Sequence, residues 1–263
     1  MSDPLEQASQ GHSPAAHPNG KPVPFAPLPS LSVARCVHPT PQALYHYMDG
    51  AFRHALPQAL VEHRRYFSTA QRGFGEDAFH ALWYHLFREF HPRNCVEIGV
   101  YRGQTLSLWA LLGKLLNYTP FILGISPFSP AGDAMSAYPE HIDYHADTLA
   151  NHDHFSLPHP HTVQALSTAA EAKAAMASRP WDLIYIDGCH DYPVARHDFI
   201  LSYNQLRSRG LIVLDDSSLY LGTIGPPAAF PGHEGPSRVA CELGMNLCRH
   251  LATVGHNNIF IKP

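Results

Sequence analysis

Between residues 95 and 214 the chain alternates short apolar runs with helical segments, and this alternation narrows the folds open to it. Residues 95–100, 121–125, 162–166, 182–186 and 210–214 read as strands bounded by turn residues. Segments 105–116, 168–178 and 194–206 between them carry helical patterning. Strand–helix alternation implies βαβ crossovers and a mostly parallel sheet. Apolar runs of this kind suit strands covered by helices on both faces. A closing antiparallel hairpin is expected from 250–254 and 258–261. The predicted fold class is therefore α/β, doubly wound, with seven strands. Such sheets bind ligands beyond the carboxyl ends of their strands, so the residues just after each strand carry the functional information.

The flanks differ in character. Residues 1–31 hold seven prolines and little apolar periodicity, and they read as a disordered tail. Residues 32–263 are expected to form a single domain, beginning with N-terminal helices over 32–92. Leu44, Tyr47, Met48, Phe52 and Leu56 recur at helical steps until Pro57 breaks the run. Phe79, Leu82, Trp83, Leu86, Phe87 and Phe90 form a second apolar stripe, ended by His91-Pro92. Residues 129–160 read as an insertion long enough to act as a lid.

Composition excludes several functions. A net charge of −4 gives no basic footprint for nucleic acid. No run of about 18 apolar residues is available to span a membrane. Neither a secretory leader nor a disulfide framework is expected, since the five cysteines (Cys36, Cys95, Cys189, Cys241, Cys248) are scattered and odd in number. A cytoplasmic setting is the default. Among 20 histidines, eighteen lie on the tail, helices, insertion or C-terminal segment and need no catalytic explanation. His190 stands apart because it follows a strand end, and His197 lies on the helix after it.

Three strand ends carry the chemistry. The first reads Glu97-Ile98-Gly99-Val100-Tyr101-Arg102-Gly103, an acid followed by a glycine-bearing turn. It lacks the G-x-G-x-x-G spacing of dinucleotide enzymes, which disfavours an NAD-linked oxidoreductase. The fourth strand ends in Asp187-Gly188-Cys189-His190-Asp191-Tyr192 and the fifth in Asp215-Asp216-Ser217. Three carboxylates ending neighbouring strands would repel one another unless a hard cation neutralised them. Two readings stay open: Asp187, Asp215 and Asp216 as Mg2+ ligands, or Asp215 and Asp216 as caps of the following turn. His190, three residues beyond Asp187, suits a general base. The pairs His152/His154 and His159/His161 have no companion cysteines and read as solvated loop residues.

Taken in order, these motifs resemble class I S-adenosylmethionine (SAM) methyltransferases. Within that class they look like the group that includes the cephalosporin-hydroxylase-like and macrocin O-methyltransferase-like enzymes (methyltransferase family 24 type). The resemblance spans about residues 75–262. It implies a Rossmann-like sheet, SAM as cofactor, and O-methylation of a small hydroxylated acceptor such as a sugar or glycosylated metabolite. Under it, Glu97, Gly99, Tyr101 and Gly103 would hold the methionine end of SAM. Ser126, Ser167 and Asp187 would complete the cofactor site, Asp187, Asp215 and Asp216 would bind Mg2+, and His190 with Asp187 would serve catalysis. A homo-oligomer is compatible with this reading.

The chain also departs from the family pattern. Gly124-Ile125-Ser126-Pro127-Phe128 has a serine where an acid usually meets the cofactor ribose. The loss of charge assistance is worth roughly 1–2 kcal/mol. Cys189 replaces the acid usual after Asp187-Gly188, and Ala165-Leu166-Ser167 stands for Gly-Asp-Ser. A catalytically weakened relative that only binds ligand is the alternative these changes raise.

Overall fold

The computed structural model describes residues 28–131, 138–139, 141–227 and 229–263. The expected tail lies outside the described residues as far as 27. Residues 28–31 are tied down: Arg88 donates to the carbonyls of Leu28 and Pro29, and Leu31 N–H donates to Glu89 at 2.7 Å.

Four helices precede the sheet. They are α1 (Leu31–Val37), α2 (Pro41–Ala55), α3 (Gln58–Phe67) and α4 (Asp77–Phe90). The Thr40 hydroxyl accepts from Ala43 N–H at 3.1 Å and Pro41 fills the first turn of α2, a favoured start. Pro57 separates α2 from α3, and His91 closes α4 in a left-handed conformation before Pro92. Next come β1 (Asn94–Ile98), α5 (Gln104–Leu115), β2 (Phe121–Ser126), α6 (Tyr144–His154), β3 (His161–Gln164) and α7 (Ala170–Ala177). Then β4 (Trp181–Ile186), α8 (Tyr192–Gln205), β5 (Leu206–Leu214), α9 (Glu234–Val239), α10 (Met245–Leu247), β6 (Arg249–Val254) and β7 (Asn257–Ile261) complete the chain.

The sheet runs β3-β2-β1-β4-β5-β7-β6. The first five strands are parallel, and β7 joins β5 and β6 antiparallel. This is the expected Rossmann-like arrangement, with order reversing at β1. Side chains alternate between faces. Cys95, Leu183, Tyr185, Leu211 and Val213 pack one face against α2, α4 and α5. Val96, Ile98, Ile184, Ile186 and Ile212 pack the other against Met176, Ala195, Phe199 and Val239 of α7, α8 and α9.

Two elements differ from the sequence expectation. Strand β5 starts at Leu206, not 210, because its pairing with β4 shifts register between Trp181↔Leu206 and Leu183↔Leu211. The helix expected over 238–248 is broken by a π turn, Ala240–Gly244, where Gly244 sits against the Phe260 ring. The expected insertion contains α6; residues 132–137 and 140 lie outside the described residues, so a lid is left as an expectation.

A buried polar chain ties the N-terminal helices to the sheet. His63 on α3 lies 3.0 Å from His80 Nε2 on α4 and 2.9 Å from Ser107 Oγ on α5. The Ser107 hydroxyl donates to Gly103 O at 2.8 Å, so it accepts from His63, and His63 Nδ1 in turn accepts from His80. Burial pushes His63 down to about 3, with nearby positive groups adding to it, and His80 lies well below its ordinary 6.5 for the same reason. Unfolding lets both imidazoles protonate near 6.5, so their contribution to stability is complete above that pH and lost below it. Across the fall from pH 6.5 to 5 each fully neutral histidine contributes on the order of 2 kcal/mol. His80→Phe should flatten the stability difference between pH 7.5 and 5 in urea titrations; an unchanged slope would contradict this neutral pair.

Candidate active site

The strand ends are drawn together because the parallel ladder continues past the strands. Gly99 N–H donates to Ile125 O at 2.9 Å, Asp187 N–H to Ile98 O at 2.8 Å, and Asp215 N–H to Ile186 O at 3.0 Å. Glu97 pairs Tyr185 in register, and Asp187 and Asp215 follow two residues after Tyr185 and Val213. By alternation Glu97, Asp187 and Asp215 therefore fall on the face covered by α4 and α5. A cavity of about 600 Å³ opens there, of a size suited to a cofactor-sized ligand. All ten side chains and glycines singled out from the sequence line it.

The glycine turn forms one wall. Gly99 has φ +94°, and a Cβ there would collide with the Asp187 carbonyl. Gly103 has φ +76° and opens α5 without a side-chain cap. Glu97 is 3% exposed, and one carboxyl oxygen, Oε2, has no hydrogen-bond partner among the described residues. Burial pushes its acid up to about 8, against a hydrogen bond from Thr105 that pulls it down. A buried acid so placed is favoured to ionise by a cationic ligand. Tyr101 stacks loosely with Phe74, Tyr138 and Tyr144 at ring separations of 4.8, 5.7 and 5.4 Å.

Ser126 lines the cavity, but its hydroxyl is engaged. It donates to Val100 O at 3.0 Å and accepts from Phe128 N–H at 3.3 Å. Towards a ligand it can therefore only accept. Ser167 lines the cavity at the turn after β3. Cys189 also lines the cavity.

The opposite end is acidic and imidazole-rich. Asp216 holds φ +49°, a left-handed conformation costing on the order of 1 kcal/mol in a non-glycine residue. Its carbonyl accepts from His233 N–H at 2.8 Å, which draws the 230–233 loop over β5. One Asp216 carboxylate oxygen lies 2.9 Å from His190 Nε2 and 3.7 Å from His233 Nε2. His256, in the turn between β6 and β7, approaches Asp215 at 3.4 Å and Asp216 at 3.8 Å. Burial works to raise Asp216, but the hydrogen bond from His190 and the charges of His256 and His233 hold it below the usual carboxylate range. Asp187 goes the other way: burial, then repulsion from Asp215 and Asp216, push it well above the usual carboxylate range. Asp215 is raised by burial and by Asp216.

His233 and His256, which the strand-end pattern does not single out, also line the cavity. Both converge on Asp215 and Asp216. Neither follows a parallel strand, so no strand-end rule could have found them. His152 is buried, with its Nδ1 on Thr148 O at 2.9 Å, in place of the expected solvated position; His154 stacks on Tyr66 and His159 meets Asp153 at 2.8 Å.

Residues 96–217 match the family profile described as a methyltransferase domain. No curated protein matches the chain. Among solved structures, the fold is similar to the SAH-bound methyltransferase PaMTH1 of Podospora anserina, at 17% identity and TM-score 0.59, covering 93% of this chain and 99% of that one. It is also similar to the O-methyltransferase of Bacillus cereus in complex with SAH, at 14% identity and TM-score 0.53, covering 84% and 98%. A third is the O-methyltransferase TomG of Streptomyces achromogenes in complex with SAM, at 15% identity and TM-score 0.50, covering 79% and 91%. No helix among the described residues is long and apolar enough to cross a membrane.

The glycine wall yields a paired prediction. At Gly188 the nearest atoms to an added Cβ lie at 3.6 Å, an ordinary contact. Gly99→Ala should lower the unfolding free energy by at least about 2 kcal/mol, and Gly188→Ala by less than about 1 kcal/mol. Equal losses in chemical denaturation would refute the close approach of the first two strand ends.

Proposed function

We propose that this chain, whose residues 96–217 match the profile of a methyltransferase domain, is a class I, SAM-dependent enzyme that O-methylates a small hydroxylated acceptor, a sugar or glycosylated metabolite. The observation that carries the reading is the pairing of a buried, half-satisfied Glu97 at one end of the cavity with a His190–Asp216 pair at the other. SAM, when bound, supplies an electrophilic methyl group on a sulfonium.

This chain's own residues do the rest. Glu97 offers its unpaired oxygen to the cationic methionine end, and the glycine turn at 99–103 lets backbone approach the ligand. Tyr101 walls that end. Ser126 accepts one hydrogen bond at the ribose edge, and Ser167 lines the adenine side. His190 removes the proton from the acceptor hydroxyl as the oxygen attacks, and Asp216 at 2.9 Å stabilises the imidazolium that forms. His256 Nε2 stands 3.4 Å from Asp215 and 3.8 Å from Asp216, and this nitrogen-bearing surround suits a transition metal better than Mg2+. No step of the reading passes through that ion.

Two measurements check this reading. Calorimetry with S-adenosylhomocysteine at pH 7 should show binding with release of a proton from Glu97, detected by varying the buffer ionisation enthalpy. Glu97→Gln should abolish the proton release; absence of any binding at millimolar ligand would end the cofactor reading. His190→Asn should lower kcat by about 100-fold or more while leaving S-adenosylhomocysteine affinity unchanged. Full turnover in that variant would remove His190 as base.

A further inference from the structure

Asp215 and Asp216, which with Asp187 carry the expectation of Mg2+, also converge with an imidazole that the strand ends do not supply. Asp215, Asp216 and His256 each offer one ligand atom, and these atoms lie within 4.8 Å of one another. We propose that these three residues form a mixed nitrogen-and-oxygen site for a first-row divalent transition metal of the Mn2+-to-Zn2+ series, selective against Mg2+.

His256 is the decisive member. It is 8% exposed, packed edge-on against Phe79 at a ring separation of 4.7 Å, with Phe230 at 5.7 Å. Its carbonyl accepts from Ser217 N–H at 2.9 Å, which fixes the β6–β7 turn against the end of β5. The ring thus has little freedom, and Nε2 points at both carboxylates. The separations are 3.4 Å to Asp215 Oδ1 and 3.8 Å to Asp216 Oδ1, and no hydrogen bond forms across either gap. Asp215 Oδ1 is itself buried without a hydrogen-bond partner among the described residues, and so is the other ring nitrogen of His256. Ligand atoms about 2.1 Å from a tetrahedral ion stand about 3.4 Å apart, so the gap is the width a shared ion requires.

Donor chemistry then selects the ion. Imidazole nitrogen suits zinc, iron, cobalt and nickel, whereas Mg2+ seeks six oxygens and gives up its waters reluctantly. Asp187 is not a member of this converging set. The other face of Asp216 is occupied by His190 at 2.9 Å, so the proposed ion leaves the base of the previous section in place. The site is independent of acceptor identity and rests on the methyltransferase reading only in sharing its cavity.

The test uses full-length, EDTA-stripped protein with Co2+ as a spectroscopic probe and Zn2+ and Mg2+ as competitors. S-adenosylhomocysteine calorimetry on each sample reports whether the cofactor site is intact. The expected result is one Co2+ per chain with visible d–d absorption, displaced by stoichiometric Zn2+ and unmoved by a 100-fold excess of Mg2+. His256→Ala and His256→Gln should each weaken Co2+ binding at least tenfold while S-adenosylhomocysteine still binds. Three outcomes would overturn the site. These are no Co2+ bound by protein that binds S-adenosylhomocysteine, Co2+ retained at full affinity in both His256 variants, or displacement of Co2+ by equimolar Mg2+. Loss of S-adenosylhomocysteine binding in the wild type, with Co2+ still bound as described, would instead end the functional reading and leave the metal site standing.

Discussion

The structure depends on three backbone hydrogen bonds at the carboxyl edge of the sheet, from Gly99, Asp187 and Asp215 to the strand beside each. They extend the parallel ladder one residue past the strands and set the spacing of the functional side chains. The glycine at 99 is what allows it, because the Asp187 carbonyl occupies the space a Cβ would need. Everything later in the cavity is measured from that edge: Glu97 two residues before it on β1, His190 three residues beyond it on the β4 side, Asp216 one residue beyond it on β5.

From that edge two chemically opposite ends follow. At the glycine end a single carboxyl is buried with an unused oxygen, and desolvation holds its proton to about pH 8. At the other end three acids share an environment with three imidazoles, and the acids separate in behaviour. Asp187 is pushed well above the usual carboxylate range, while Asp216 is held below it by His190, His256 and His233. Like charges at a sheet end separate in this way whenever one of them gains a positive partner. The outcome is a cavity with a half-satisfied carboxyl at one end and an imidazole–carboxylate pair at the other.

Much of this was legible in the residue pattern. Continuous apolar runs and the helical stripe from Phe79 to Phe90 placed β1, β2, β4 and α4 to within a residue or two, because both faces of a doubly wound sheet must be apolar. The motif positions Glu97, Gly99, Asp187, His190, Asp215 and Asp216 fall in one cavity because strand ends in a parallel sheet are forced to one edge. The start of β5 was hidden because Arg207–Arg209 bulge out of register with β4, and register is set by the partner strand. The break after α9 was hidden because it answers to the Phe260 ring, which arrives from 16 residues beyond Gly244.

The amino-acid sequence by itself determined the α/β alternation and the strand-end motifs, since these are matters of local propensity and spacing. Only the tertiary structure decided which histidines matter. His233 comes in on a loop paired to Asp216, His256 on an antiparallel turn, and His63 with His80 sinks between helices. An imidazole's role depends on burial and on the groups facing it, and both are properties of packing between distant segments. Spacing along the chain could not distinguish these four from the histidines at the surface.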